Sequence, residues 1–177
     1  MPASDAEARS AALTKALVHP LVVGAVFLLI ANDHLLKRAV PGLVTGKLSD
    51  VAGLVFFPLT LAVALAWLAR RAGRWADPVR LVASTAVLTG VVFALVKTTA
   101  VGGWWYRHGV AALQCPAHVA LAWLTGARPE CPAEVSLTQD VTDLVALPAL
   151  LVPYWLVRRM GAAGGSITKT RRGGPGR

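Results

Sequence analysis

Charge is scarce in this chain: of its 177 residues only 15% are Asp, Glu, Lys or Arg, and only nine of those are acidic. Soluble domains carry about 25% charged residues. With 55% apolar residues and a mean hydropathy of +0.58, there is too little polar surface to cover a water-soluble globule, and a bilayer becomes the expected solvent. Cysteine is scarcer still. Cys115 and Cys131 are the only two, too few for a disulfide scaffold, and no Cys-x-x-Cys or Cys/His cluster has zinc-ligand spacing, so no metal site is expected. A small-x-small cleavage pattern is also missing after the first apolar run, where Asn32-Asp33-His34 stands instead. Asp5 and Glu7 occupy the region that is basic in a secretory leader, so that run is expected to be retained as a membrane helix. The Lys and Arg residues behind the net charge of +9 gather between apolar segments and near the carboxy end. That is how membrane topology is written, and it argues against a nucleic-acid partner.

What the chain has instead is long apolar runs. Four are expected to span a membrane, at about 16–31, 51–69, 81–101 and 141–157. Residues 1–15 form a polar lead-in, 16–157 the transmembrane domain, and 158–177 a basic, disordered tail. The connection from Asn32 to Asp50 reads as a loop, with turns at Pro41-Gly42 and Thr45-Gly46. Pro58 is expected to kink the second span. Arg70, Arg71, Arg74 and Arg80 make the densest basic connection, which the positive-inside rule assigns to the cytoplasm.

Residues 102–140 read as an outer excursion. Trp104-Trp105-Tyr106 resembles an aromatic belt, and Gly109–Thr125 is apolar but contains Gln114, Pro116 and His118. A fifth crossing there would put Arg158, Arg159, Lys169, Arg171 and Arg172 outside, against the charge rule. A surface or re-entrant segment is therefore expected. Cys115 and Cys131 then share the oxidising side, where one disulfide would close the excursion; two unpaired thiols are the alternative. The fold class is an all-α integral membrane protein with four transmembrane helices, an extracytoplasmic excursion between the third and fourth, and both termini cytoplasmic.

On that topology four polar segments reach one outer rim: Asn32-Asp33-His34, Lys47-Ser49-Asp50, Lys97-Thr98-Thr99 and Gln139-Asp140-Asp143. Charged side chains at the ends of membrane helices need water, a partner or a ligand. Asp50, Asp143 and His34 are the candidates for chemistry, His34 as a general base beside a carboxylate. Asp33, Lys47, Ser49, Lys97 and Asp140 are the candidates for binding. Plainer roles also fit: Ser49 or Asp50, and Thr142 or Asp143, as helix N-caps, Lys97 snorkelling to the interface, or Asp50 and Asp143 paired with Lys47 and Lys97.

The run Asn32-Asp33-His34-Leu35-Leu36-Lys37, followed by Thr45-Gly46-Lys47-Leu48-Ser49-Asp50-x-x-Gly53, resembles a signature of bacterial multi-pass membrane proteins without an assigned activity. Asp140-Val141-Thr142-Asp143-Leu144 is similar in style to the aspartate-bearing span starts of the VanZ-like family of small bacterial membrane proteins. The Asp-Lys-x-x-His arrangement of that family and its Asn-x-x-Gly pattern in the final span are absent here. The resemblance implies a bacterial inner-membrane protein with a role at the cell envelope. The expected function is binding or processing of an anionic envelope lipid or lipid-linked precursor. A non-enzymatic structural or accessory subunit is the alternative; an ion-coupled carrier is a third, less favoured because the spans themselves are nearly free of charge.

Overall fold

The computed structural model describes residues 11–32 and 43–172. All regular structure among them is helical: α1 (Ala11–Leu17), α2 (Pro20–Ala31), α3 (Leu43–Arg71), α4 (Pro78–Thr98), α5 (Ala100–Thr125), a 3-10 segment (Val141–Leu150) and α6 (Leu151–Arg172). Three stretches are long and apolar enough to cross a membrane: Gly46–Arg71, Pro78–Thr98 and Val141–Ala162. The pair α1 and α2, bent by 43°, makes a fourth if it counts as one span. The chain is thus built as a multi-pass helical membrane protein.

The bend between α1 and α2 has a local cause. His19 is extended, at φ −65° and ψ 140°, and its Nδ1 accepts the Leu21 N–H at 3.2 Å. Pro20 follows at the first helical position, where its missing N–H costs nothing. His19, expected at the interface, is therefore the N-cap of α2.

Helix α3 starts at Leu43, eight residues before the boundary expected at Val51, so the segment from Thr45 to Asp50 is helix and not loop. Ser49 and Asp50 accordingly lie inside the helix and do not cap it. Hydropathy reports side chains, and a helix continues through Lys, Ser and Asp when tertiary partners receive them. Asn32 supplies one such partner, its Nδ2 donating to Ser49 Oγ at 2.6 Å. Helix α3 also runs unbroken through Pro58. Thr85 Oγ1 lies 3.0 Å from the Pro58 carbonyl oxygen and 3.1 Å from that of Val82, its one proton serving both.

After Arg71 the chain stops in a Schellman turn. Gly73 takes φ 68°, its N–H meets Arg70 O at 3.0 Å, and the Arg74 N–H meets Ala69 O at 2.9 Å. Asp77 then caps α4, accepting the Arg80 N–H at 2.9 Å, with Pro78 at the first helical position.

By contact the chain divides into two compact units, Met1–Gly90 with Val145–Arg177, and Val91–Leu144. The first has an apolar core that includes Leu13, Val22, Leu59, Val82, Leu156 and Val157. Gly90 belongs to it too: a Cβ there would come within 2.8 Å of Leu150 Cδ1. Arg71 stacks on Trp67 at 4.5 Å and Arg159 on Trp155 at 3.8 Å, the same four-residue spacing at the basic ends of two spans.

The last span departs most from expectation. Its first ten residues wind as a 3-10 helix, and α6 continues to Arg172, well past the expected end at residue 157 and into the stretch expected to be disordered. With three residues per turn, Asp143, Ala146 and Ala149 fall in one line. Asp143 and Ala146 are buried and Ala149 half-buried, whereas further on burial shifts to the α-helical set Pro153, Leu156 and Val157. Pro148 and Pro153 each lack the N–H an α-helix would use.

Candidate functional site

The second unit contains a buried ion pair. Lys97, in the last turn of α4, reaches Asp143, in the first turn of the 3-10 segment, with Nζ 2.6 Å from Oδ2. Their side chains are 10% and 8% exposed. The Phe93 ring, one turn back on α4, lies 5.6 Å from the ammonium. Lys97 is thus turned inward and does not snorkel, and Asp143 is not an N-cap. Capping falls to Asp140, whose Oδ1 accepts the Thr142 N–H at 2.8 Å and whose carbonyl accepts that of Asp143 at 3.0 Å.

Beside the pair, Gln139 closes the end of α4. A helix leaves its last carbonyls without intrahelical donors. The Gln139 amide donates to Val96 O at 2.8 Å and Thr99 O at 2.7 Å. Thr99, at φ −123° and ψ 140°, breaks the helix and starts the next: its Oγ1 donates to Leu95 O at 2.7 Å and accepts the Gly102 N–H at 3.0 Å. One residue therefore joins α4 to α5.

The glycines after it are needed for space. A Cβ at Gly102 would strike the Leu95 carbonyl, and one at Gly103 would strike the Gln139 amide. The first obstacle is backbone and the second the movable end of a side chain. Gly102→Ala is expected to cost about 1–3 kcal/mol, the range for overpacking. Gly103→Ala should cost about 1 kcal/mol, through displaced Gln139 hydrogen bonds. Thermal unfolding in detergent checks the order, and equal shifts would contradict it.

From Gly126, at φ 70°, the chain returns as an extended strap over residues 127–140 along α5. A disulfide joins Cys115 to Cys131, with Cα atoms 4.8 Å apart. Nearer the start of α5, the Val135 N–H meets Arg107 O at 3.2 Å, and Arg107 Nε lies 3.8 Å from Glu134 Oε2. Gln139 reaches Gly103. The strap thus meets α5 at positions 103, 107 and 115, which lie along one line of the helix. The expected aromatic belt is part of this single unbroken helix, with His108 stacked on Trp104 at 4.5 Å.

Of the residues singled out from sequence, the second unit brings Lys97, Asp140 and Asp143 together, and the first unit places Ser49 against Asn32. Lys47 and Asp50 sit half-buried in the opening turns of α3. Asp33 and His34 lie outside the described residues. No group of three metal-ligating side chains occurs among the described residues. Thr99 and Gln139 stand in the polar segments expected at the rim but carry no assigned role there, and Gly102 carries none either, although the run Thr99-x-x-Gly102-Gly103 after a helical period is a capping signal. The arrangement can hold two helix ends together and can present a lysine to an anion that replaces its carboxylate. No family model, no curated protein and no solved structure matches this chain.

Proposed function

We propose that this protein is a four-span component of a bacterial inner membrane that binds an anionic envelope lipid, or a lipid-linked precursor, through Lys97 on the outer side. The Lys97–Asp143 contact carries the reading, because an ionisable pair at the ends of two membrane helices marks a functional site by default. A lysine is a compact point charge that suits a phosphate head group. Asp143 holds the position that such a head group would take on Lys97, and binding exchanges a carboxylate for a phosphate. Asp140, Thr142 and Thr99 supply the neighbouring polar groups.

The same contact supports the topology. It sets the end of α4 beside the start of the last span, so the residues between them cross the membrane an even number of times. The strap is extended and carries Arg128, Glu130 and Glu134 exposed, and such backbone does not traverse hydrocarbon. An excursion follows, with neither α5 nor the strap crossing. The arginines at 70, 71, 74 and 80 favour a cytoplasmic side for the opposite ends of these spans, where Arg158 and Arg159 also fall.

A structural or accessory role is the second reading, favoured by the burial of both charges against each other. The double variant Lys97→Met/Asp143→Leu separates the two. Retained folding with loss of co-purifying anionic lipid supports the binding site; retained folding with native lipid content supports the structural role. Sidedness is read from a cysteine at Ser136 or Asp77, with the native disulfide left in place. An impermeant thiol reagent added to intact cells should label position 136 and spare position 77, and the reverse would overturn the orientation.

A further inference from the structure

Helix α5 has two lines of residues with the same spacing. Arg107, Gln114, His118 and Thr125 are seven, four and seven residues apart; so are Trp105, Ala112, Pro116 and Trp123. The second line is offset by two positions, which at about 100° per residue places it on the opposite side of the helix. The polar line runs beside the residues that meet the strap, Gly103, Arg107 and Cys115. The apolar line is open: Trp105 is 66% exposed and Trp123 77%. Leu113 and Leu124, about a quarter-turn round, are 80% and 85% exposed, and one apolar residue, Leu121, interrupts the polar line at 60% exposed. Arg107 is the one formal charge in 26 residues, and the acids Glu130 and Glu134 are on the strap.

The lie of the chain indicates what covers this open face. Helix α5 leaves the span α4 after one extended residue, Thr99, and the strap rejoins the last span at Val141. Gln139 and the Lys97–Asp143 pair tie both ends of the excursion to the same end of α4. The excursion therefore begins and ends at the end of a membrane span, the level at which a bilayer interface lies. A helix with apolar residues on one side, polar residues on the other and tryptophans at both ends is suited to lie in an interface plane.

We infer that α5 lies along the surface of the bilayer, with its Trp105–Trp123 face sunk into the boundary between head groups and acyl chains, and with the Arg107–His118 face and the strap turned to water. This inference rests on the membrane-spanning reading above and adds a second lipid contact that does not use Lys97. The disulfide and the Arg107 contacts keep the strap on the wet side, leaving the apolar line free for lipid.

Tryptophan quenching in reconstituted vesicles tests it. In a variant that keeps Trp123 alone, the other five tryptophans being replaced by Phe, lipids brominated near the head group should quench at least about twofold more than lipids brominated near the chain ends. A companion variant keeping only Trp155 reports whether the spans are in the bilayer. Trp155 quenched by lipid while Trp123 responds only to aqueous acrylamide would overturn the surface position of α5 and leave the spans standing. Trp123 quenched most by the deepest bromines would also overturn it, since α5 would then cross. Neither residue quenched would overturn the membrane reading and this inference with it. If the multiple replacements do not fold, Trp123→Phe in the otherwise native chain gives the same answer by difference: the shallow-lipid quenching must fall.

Discussion

Replacing Asp143 with Leu alone is expected to lower stability by about 3–5 kcal/mol, the cost of stranding one member of a buried ion pair. Lys97 would be left 10% exposed without the carboxylate that lies 2.6 Å away. Lys97→Met alone should cost a similar amount, because Asp143 is then the stranded charge. The double variant Lys97→Met/Asp143→Leu should recover most of the loss, since two apolar side chains of similar volume need no counter-charge. A double-mutant cycle by thermal unfolding in detergent measures this. Additive single effects, with no recovery in the double variant, would mean that the pair does not act as a unit.

The second large effect concerns the strap. Cys115 and Cys131 are 16 residues apart in sequence, and closing a loop of that size stabilises by about 3 kcal/mol in the chain-entropy account. Cys115→Ser/Cys131→Ser is expected to lose about that much, and reduction of the native protein should reproduce the loss. The damage should be local. Gln139 still holds Val96 O and Thr99 O, and Lys97 still holds Asp143, so the spans should stay docked while the stretch around Arg128 loosens. A glutamyl endopeptidase should then cut after Glu130 faster in the reduced protein than in the oxidised one. Identical melting and identical cleavage with and without reductant would show that the disulfide holds nothing that the Arg107 and Gln139 contacts do not already hold.

The two perturbations act on different parts of the excursion, and their consequences differ. Loss of the ion pair acts where α4 ends and the last span begins, the place assigned to lipid-phosphate binding. Loss of the disulfide acts beyond the middle of α5, at Cys115, which lies 15 residues along that helix from Ala100 and about 22 Å by helical rise. Lipid content should therefore follow the first and not the second.

The sequence by itself determined where apolar helices form. Each run from Val51, Leu81 and Val141 lowers its free energy by leaving water on its own account, and transfer energy is a sum over neighbouring residues that needs no knowledge of the fold. Arginines after Ala69 marked the end of α3 for the same local reason, whereas those after Val157 lie inside α6. Helix boundaries were less legible. The drop in hydropathy at Asp50 resembled a helix start, yet α3 begins at Leu43 because Ser49 finds Asn32, 17 residues away. Residues 100–125 showed a belt followed by an apolar stretch, and only the folded chain joined them into one helix with a strap along it.

Tertiary structure alone decided which charges meet. Two lysines and two aspartates were available at the expected rim, and local pattern carried no reason to prefer Lys97 with Asp143, 46 residues apart. The choice depends on the winding of Val141–Leu150. As an α-helix that segment would set Asp143 between the rows of Ala146 and Leu147 and not directly in line with Ala146, and the carboxylate would follow a different path around the span. Winding with three residues per turn lines Asp143 up with Ala146 and Ala149 instead. A 3-10 segment ten residues long competes closely with an α-helix of the same sequence, so propensity cannot select it. Two prolines, one buried charge and the packing of the neighbouring helix act together to do so, and they meet only once the chain has folded.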